Sequence, residues 1–316
     1  METAYRKQAE MLANRVKKRF KHLRKQFVRQ NIEVFRLYDW EIPEIRAVVD
    51  WYAGHLVIGE YTREQSTPEW LPMMGAAVAE ALDVTAENVH LKVRRAGKQE
   101  GKRYERIDHT NRKIVINEHH LQFYVNPWDF VDTGLFSDHR NTRRMVGAMA
   151  TGTDFLNLYC YTGSFTCYAA KGGARSTVSV DRSQTAIDWA RENMALNSIH
   201  AEGHKLLQMP TDLFLHKARL DQLRFDLAVV DPPSYSTDRT GKPDFDIAKD
   251  HPDLLNRVVK IMRKGATIFF STNHQGFEAR MAGLKVSGIK EITDQTIPQD
   301  YVNKRKRIHR CWKLIV

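Results

Sequence analysis

The sequence predicts an α/β chain in two parts. A doubly wound, Rossmann-like domain spans residues 128–316, and a small α+β module spans residues 1–127. Three observations lead there. From residue 154 onward short apolar runs alternate with amphipathic stretches, the pattern of strand–helix–strand units around a parallel sheet. Three of those runs end in residues able to do chemistry: Asn157-Leu-Tyr-Cys-Tyr-Thr-Gly163, Val178-Ser-Val-Asp181 and Phe225-Asp-Leu-Ala-Val-Val-Asp231. Open α/β sheets hold their ligands outside the carboxyl ends of the strands. Before Asn126-Pro127 the pattern differs: a basic helix, then separated strands.

In chain order, residues 6–29 carry ten Lys and Arg against one acid, Glu10, while Leu12, Val16, Phe20, Leu23 and Phe27 recur at spacings of three and four. This is a helix with one apolar stripe and a basic remainder. It reads either as a solvated face or as an arm that tracks phosphates. Strands follow at 33–38, 47–52 and 56–61, a helix at 68–82, a strand at 89–94 and a hairpin from 114–116 and 121–125. Beyond the boundary the expected elements are 154–160, 164–171, 175–181, 184–197, 203–208, 211–219, 225–230, 246–263, 265–271, 275–285, 289–296 and 307–316. No helix separates the last two strands, so they should pair antiparallel at the sheet edge.

The strand ends then set the chemistry. Gly163 lies between the first strand and helix of the sheet, where a glycine lets backbone approach a ligand at a helix amino-terminus. Asp181 ends the next strand, placed to accept from ribose hydroxyls, with a helix N-cap as the alternative role. Asp231-Pro232-Pro233 stops its strand as a rigid, amide-poor corner, offering a carboxylate and two flat apolar rings to a planar base. No metal is expected: His200-Ala-Glu-Gly-His204 lacks the H-E-x-x-H spacing. Cys160, Cys167 and Cys311 show no CxxC spacing and read as buried, unpaired thiols of a reducing compartment.

A chain of 316 residues with a net charge of +11 has room for two domains and favours an anionic partner, most simply nucleic acid. The basic residues cluster in three places: Arg15, Lys17, Lys18, Arg19, Lys21 and Arg24 on the first helix; Lys92, Arg94, Arg95, Lys98 and Lys102; and Lys304 with Arg305. No apolar run is long enough to span a bilayer, and the basic first thirty residues have no signal-peptide core. A cytoplasmic location without a membrane partner is the expectation.

Taken together, Leu156-Asn-Leu-Tyr-Cys-Tyr-Thr-Gly-Ser164, Gly172-Gly-Ala-Arg-Ser176, Val180-Asp-Arg-Ser183 and Asp132-Thr-Gly-Leu-Phe-Ser-Asp-His-Arg140 resemble the rRNA branch of the class I S-adenosylmethionine-dependent methyltransferases. With Phe35-Arg-Leu-Tyr-Asp-Trp40 and Phe270-Ser-Thr-Asn-His-Gln-Gly-Phe277, the resemblance is to the guanine-N7 half of the bifunctional large-subunit rRNA methyltransferases K/L, from about Leu12 to Trp312. The guanine-N2 half, with its Asn-Pro-Pro-Tyr, has no counterpart, so a free-standing guanine-N7 enzyme is expected. The resemblance implies S-adenosylmethionine held by Phe136, Asp138, Arg140, Asn157, Tyr159, Tyr161, Thr162, Gly163, Asp181, Arg182, Ser183, Asp212 and Asp231. It places the target base against Asp231, Pro232, Pro233 and Tyr235, and implies 23S rRNA, naked or in a pre-ribosomal particle, as substrate.

Two departures from the family pattern bear on mechanism. Pro210 stands where an acid usually meets the adenine amino group, leaving Asp212 or a backbone group for that contact. The segment Phe270-Ser-Thr-Asn273 has no cysteine, the nucleophile that the sister cytosine-C5 enzymes need for covalent activation. Guanine N7 is a lone pair without a proton and needs neither thiol nor general base. The alternatives are a cytosine-C5 or guanine-N2 methyltransferase, a non-catalytic RNA-binding or chaperone protein on the same fold, and a nicotinamide enzyme, against which the missing G-x-G-x-x-G counts.

Overall fold

The computed structural model describes residues 2–62, 67–94, 106–237, 243–303 and 305–316. The chain forms two compact units, Met1–Thr133 with Gln299–Asn303, and Gly134–Pro298 with Lys304–Val316. The first unit thus extends past the expected boundary at 127 and takes in a short segment from near the other end of the chain. No helix among the described residues is long and apolar enough to cross a membrane.

In the first unit, α1 (Glu2–Arg29) is followed by β1 (Val34–Asp39), β2 (Ala47–Tyr52), β3 (His55–Tyr61), α2 (Trp70–Leu82), β4 (Val89–Arg94) and the hairpin β5 (Ile114–Glu118) and β6 (Leu121–Val125). The sheet runs β1-β2-β3-β4, antiparallel until β4 pairs parallel with β3 through α2. The α1 stripe is as periodic as its sequence: Leu12, Val16, Leu23 and Phe27 are buried against Phe35, Leu37, Val49, Ile58 and the α2 residues Trp70, Met74 and Val78. Each such side chain contributes about 1.5–3 kcal/mol by leaving water.

Ionic groups are buried in this unit as well. Arg36 forks onto Asp50 at 2.8 and 3.0 Å and reaches Asp39 at 3.3 Å, while its backbone N–H donates to Asp300 at 3.0 Å. The Tyr301 ring lies 4.5 Å below its guanidinium. This network explains why Gln299–Asn303 belongs to the first unit.

In the second unit, α3 (Arg140–Met149) precedes β7 (Asp154–Leu158), α4 (Ser164–Lys171), β8 (Ser176–Asp181), α5 (Gln184–Leu196), β9 (His204–Gln208), α6 (Thr211–Leu220) and β10 (Phe225–Val230). A small hairpin follows, β11 (Tyr235–Thr237) and β12 (Pro243–Asp246), then α7 (Ile247–Val259), β13 (Met262–Thr272), β14 (Gly288–Glu291), α8 (Thr293–Thr296) and β15 (Arg310–Ile315). The seven-stranded sheet has the order β14-β15-β13-β10-β7-β8-β9. It is buried on both faces: Ala228 and Val230 of β10 join one core cluster, Leu227 and Val229 the other. This is the expected doubly wound α/β domain, with β15 antiparallel to β14 and β13 at its edge. From β7 the chain steps to β8 and β9, then returns to β10 on the other side of β7. That reversal opens a crevice at the carboxyl ends of β7 and β10.

Three local expectations need correction. No helix forms over 275–285. Phe277, Met281 and Leu284 are buried at helix-like spacing, but the segment is a chain of turns tied to α7. The Arg280 N–H donates to His251 Nε2 at 2.9 Å, and its guanidinium donates to the carbonyls of Ala248 and Lys249. The strand expected at 289–296 stops at Glu291 and turns into α8, because Thr293 uses its hydroxyl to bond Glu291 and to accept from Cys311 N–H. The strand from 154 stops at Leu158, since Tyr159 and Tyr161 adopt φ of +59° and +49°. The helix α3 and the β11–β12 hairpin had no counterpart in the sequence reading.

Candidate active site at the carboxyl ends of the strands

The loop from Tyr159 to Gly163 and the end of β8 face each other across Asp181. The Asp181 carboxylate accepts from Tyr161 N–H at 3.0 Å and from Ser183 N–H at 2.9 Å. Each oxygen keeps a further lone pair for a hydroxyl donor. Burial pushes the carboxyl up from its ordinary range, opposed by those backbone donors. The helix-cap role falls to Ser183, whose hydroxyl accepts from Ala186 N–H. Asp181 is therefore an oriented, mostly buried acceptor rather than a cap. Beside it, the rings of Phe136 and Tyr161 pack at 5.1 Å between centroids, an aromatic pair facing the same loop.

Several other residues expected at the cofactor make hydrogen bonds or ring contacts within the protein. Asn157 is buried and donates to Thr166 at 2.9 Å, which bonds Ser179 at 2.6 Å. This chain of polar groups pins α4 to the sheet. Thr162 donates to the Gly134 carbonyl at 2.6 Å, and its own carbonyl accepts from Asn193. Tyr159 turns toward Phe245, and burial pushes its phenol up. Arg182 reaches Thr237 O at 3.1 Å and Asp244 at 3.4 Å, tying the end of β8 to the hairpin. Asp212 is held by Arg257 at 2.7 Å with a largely exposed side chain, so its carboxylate serves an ion pair.

Packing also requires a glycine at position 163. Its φ is +75°, and an added Cβ would lie 2.8 Å from Ala190 Cβ on α5. Gly134, at φ +102°, is crowded harder still: a Cβ there would come within 2.3 Å of the Trp189 ring. Both glycines are set by close packing against α5 and by left-handed backbone.

At the end of β10 the ladder stops where Pro232 and Pro233 cannot donate. The β10–β13 register pairs Val230 with Phe270, which sets Ser271 beside Asp231. Ser271 donates to Asp231 Oδ1 at 2.6 Å, and Ser234 donates to Asn273 Oδ1 at 2.7 Å. On its other side Asp231 Oδ2 lies 3.6 Å from His139 Nε2. His139 is buried, stacked on His309 at 4.3 Å and 9°, and burial lowers its pKa ahead of any ionic effect. His309 Nδ1 lies 2.9 Å from Asp138, and its Nε2 lies 3.0 Å from Thr296. Asp138, His139 and His309 bring ligand-type atoms within 4.8 Å of one another. The trio adjoins the corner through the 3.6 Å approach of His139 to Asp231. Arg140 is buried at the start of α3. Tyr235 opens β11, half-buried, next to the corner.

Ser271, Asn273, His139 and His309 were not picked out from the sequence as site residues. For Ser271 and Asn273 a signal existed: polar residues ending the strand that neighbours the Asp-Pro-Pro strand. For His309 none did, since it stands 171 residues from its partner Asp138.

The basic positions fall into three groups. Lys17, Lys18, Lys21 and Arg24 are exposed on α1, Arg24 over the Phe20 ring at 5.5 Å. Arg15 pairs with Glu41, and Arg19 donates to Asp300 O at 2.9 Å, so these two brace the first unit. Lys92 is buried and donates to Trp128 O at 2.9 Å, removing it from the surface cluster. Arg305 is exposed. Arg95, Lys98, Lys102 and Lys304, and the side chain of Arg94, lie outside the described residues.

A family model described as S-adenosylmethionine-dependent methyltransferase matches residues 105–281. The chain is 40% identical over 308 residues to the ribosomal RNA large subunit methyltransferase K/L of Vibrio cholerae serotype O1, covering 95% of this chain and 43% of that protein. It is 39% identical over 308 residues to the ribosomal RNA large subunit methyltransferase K of Neisseria meningitidis serogroup B, covering 96% of this chain and 86% of that one. The chain thus spans less than half of the K/L relative and most of the K relative. Among solved structures, SMU.776 complexed with SAH superposes with a TM-score of 0.78 at 20% identity, over 98% of this chain and 82% of the other. At that identity the likeness is one of fold.

Proposed function

Since the chain belongs to the S-adenosylmethionine-dependent methyltransferases, in the family of the ribosomal RNA large subunit methyltransferases K, we propose that it forms 7-methylguanosine in 23S rRNA. The observation that carries the choice of atom is the corner itself. Asp231 and Ser234 are bonded to Ser271 and Asn273, with no thiol among them. The three cysteines of the chain are all buried, and burial pushes each thiol up, Cys167 to about 12. Covalent activation of a pyrimidine needs a thiolate, so the cytosine-C5 route has no nucleophile here.

S-adenosylmethionine supplies an electrophilic methyl group, which guanine N7 can take without surrendering a proton. The residues around it then have three tasks. Asp181 accepts from the ribose, while Phe136 and Tyr161 offer aromatic faces to the cofactor. Pro232, Pro233 and Tyr235 stack the base and hold it in line. Asp231, oriented by Ser271, offsets the positive charge that builds on the purine. A duplex would bury N7 in the deep, narrow major groove of A-form RNA, so an unpaired or extruded guanine is the substrate. The test is direct. Protein, labelled cofactor and unmodified 23S rRNA are incubated, and the RNA is digested to nucleosides. Label in 7-methylguanosine is expected; label in 5-methylcytidine or N2-methylguanosine refutes the assignment.

The exposed cations of α1 supply the phosphate contacts in this reading. Lys17, Lys18 and Lys21 replaced together by Gln should flatten the log–log salt dependence of RNA binding by roughly 2–3, at about 0.7–0.9 per phosphate contact. Cofactor affinity should stay unchanged. An unaltered slope in filter-binding titrations would make α1 a solvated face.

A further inference from the structure

We propose that Asn273 selects guanine over adenine by donating its side-chain N–H to O6 of the target base, an inference that rests on the guanine-N7 reading. Ser234 directly follows the two prolines, is buried, and donates to Asn273 Oδ1 at 2.7 Å. The amide oxygen is thereby fixed, and the amide is oriented with its NH2 group outward. Asn273 itself is exposed, and Nδ2 has no protein partner among the described residues. Its main chain is held too: its carbonyl accepts from Gln275 Nε2 at 3.2 Å, and the same Nε2 donates to Arg307 O at 3.1 Å. The next residue, His274, donates its N–H to Thr272 Oγ1 at 3.1 Å. A donor is therefore held in place at the end of β13, one hydrogen bond from the corner that stacks the base.

The chemistry of the base edge gives such a donor a use. Guanine presents two acceptors on this edge, N7 and O6; adenine presents N7 and the N6 amino donor. N7 has to stay unengaged to receive the methyl group, so a site that discriminates by hydrogen bonding on this edge must do it at O6. An amide N–H there matches guanine and meets adenine donor to donor. A fixed polar group left unpaired by the wrong base discriminates more strongly than a missing apolar contact.

The experiment compares two versions of the 23S rRNA substrate. One carries guanosine at the nucleotide that takes the label; the other carries 2,6-diaminopurine riboside there, which keeps N7 and the 2-amino group but turns O6 into an amino donor. Wild-type protein should prefer guanosine about 10-fold or more in kcat/KM, by the discrimination of one base-edge contact. Asn273→Asp, of the same shape with acceptors only, should lose that preference or reverse it. Ser234→Ala, which frees the amide to rotate, should reduce it. Both variants should bind S-adenosylmethionine as wild type does and melt at a similar temperature. A preference unchanged in both variants overturns the role of Asn273, even with 7-methylguanosine as the product. A wild-type protein that does not distinguish the two bases overturns it as well. Label on a nucleoside other than 7-methylguanosine in the wild-type reaction refutes instead the reading on which it rests.

Discussion

Replacing Asp231 by alanine should lower kcat about 10²–10³-fold, the cost of removing one preorganised electrostatic group from a reacting centre. The carboxylate is oriented before any substrate arrives: Ser271 donates to one oxygen, and the other lies 3.6 Å from His139. It can therefore act on developing charge without reorganising. Asp231→Asn separates charge from shape, since the amide oxygen can still accept from Ser271. If charge is what matters, the Asn variant falls nearly as far as the Ala variant while cofactor affinity holds. Single-turnover kinetics with saturating cofactor would decide, and an Asn variant with wild-type kcat would reduce Asp231 to a structural end of its strand.

Asp181→Ala should weaken S-adenosylmethionine binding by about 1.5–3 kcal/mol, the range for a hydrogen bond to a charged group. Alanine also strips the acceptor from the part-buried N–H groups of Tyr161 and Ser183, so part of any loss would come from the loop itself. Asp181→Asn is the cleaner variant, because its carbonyl oxygen can still take one of them. The sign of the pKa shift adds a second readout. Burial raises the Asp181 pKa above its unfolded value, so ionising this group in the folded protein costs stability as the pH rises through that range. The neutral Asn avoids the cost. Its NH2 group, however, faces the second N–H, so the variant should bind cofactor more weakly while remaining folded near neutral pH. Calorimetric titration with parallel melting curves checks both halves; unchanged affinity in a folded variant removes Asp181 from the ribose site.

How far the site could be read in advance differs residue by residue. The positions of Asp181 and Asp231 at strand ends are legible because each closes an apolar run, and a strand end in an open sheet has a known direction. For Gly163 the structure adds a second constraint: a lone glycine in sequence does not reveal that Ala190, on the next helix, also forbids a side chain. Asn157 and Asp212 lie at suggestive positions but spend their polar groups on Thr166 and Arg257. The turns over 275–285 imitate a helix because Phe277, Met281 and Leu284 meet the core at spacings of four and three. Their backbone is instead tied down by α7, through contacts to His251, Ala248 and Lys249 that no local pattern encodes.

By itself, the sequence determined the alternation of strands and helices, the apolar stripe of α1, the antiparallel edge and the ends of the three strands proposed to hold the chemistry. These depend on periodicity and on backbone limits such as that of Pro232-Pro233, which act within a few residues. Only the tertiary structure decided which polar groups are free. The register of β10 against β13 put Ser271 on Asp231, the Ser234 bond oriented Asn273, and Glu41 and Asp300 became the partners of Arg15 and Arg19. A charge or amide has the same letter in the sequence whether it is paired or waiting for a ligand. Its partner is fixed by strand order and helix packing, across separations as long as the 281 residues between Arg19 and Asp300.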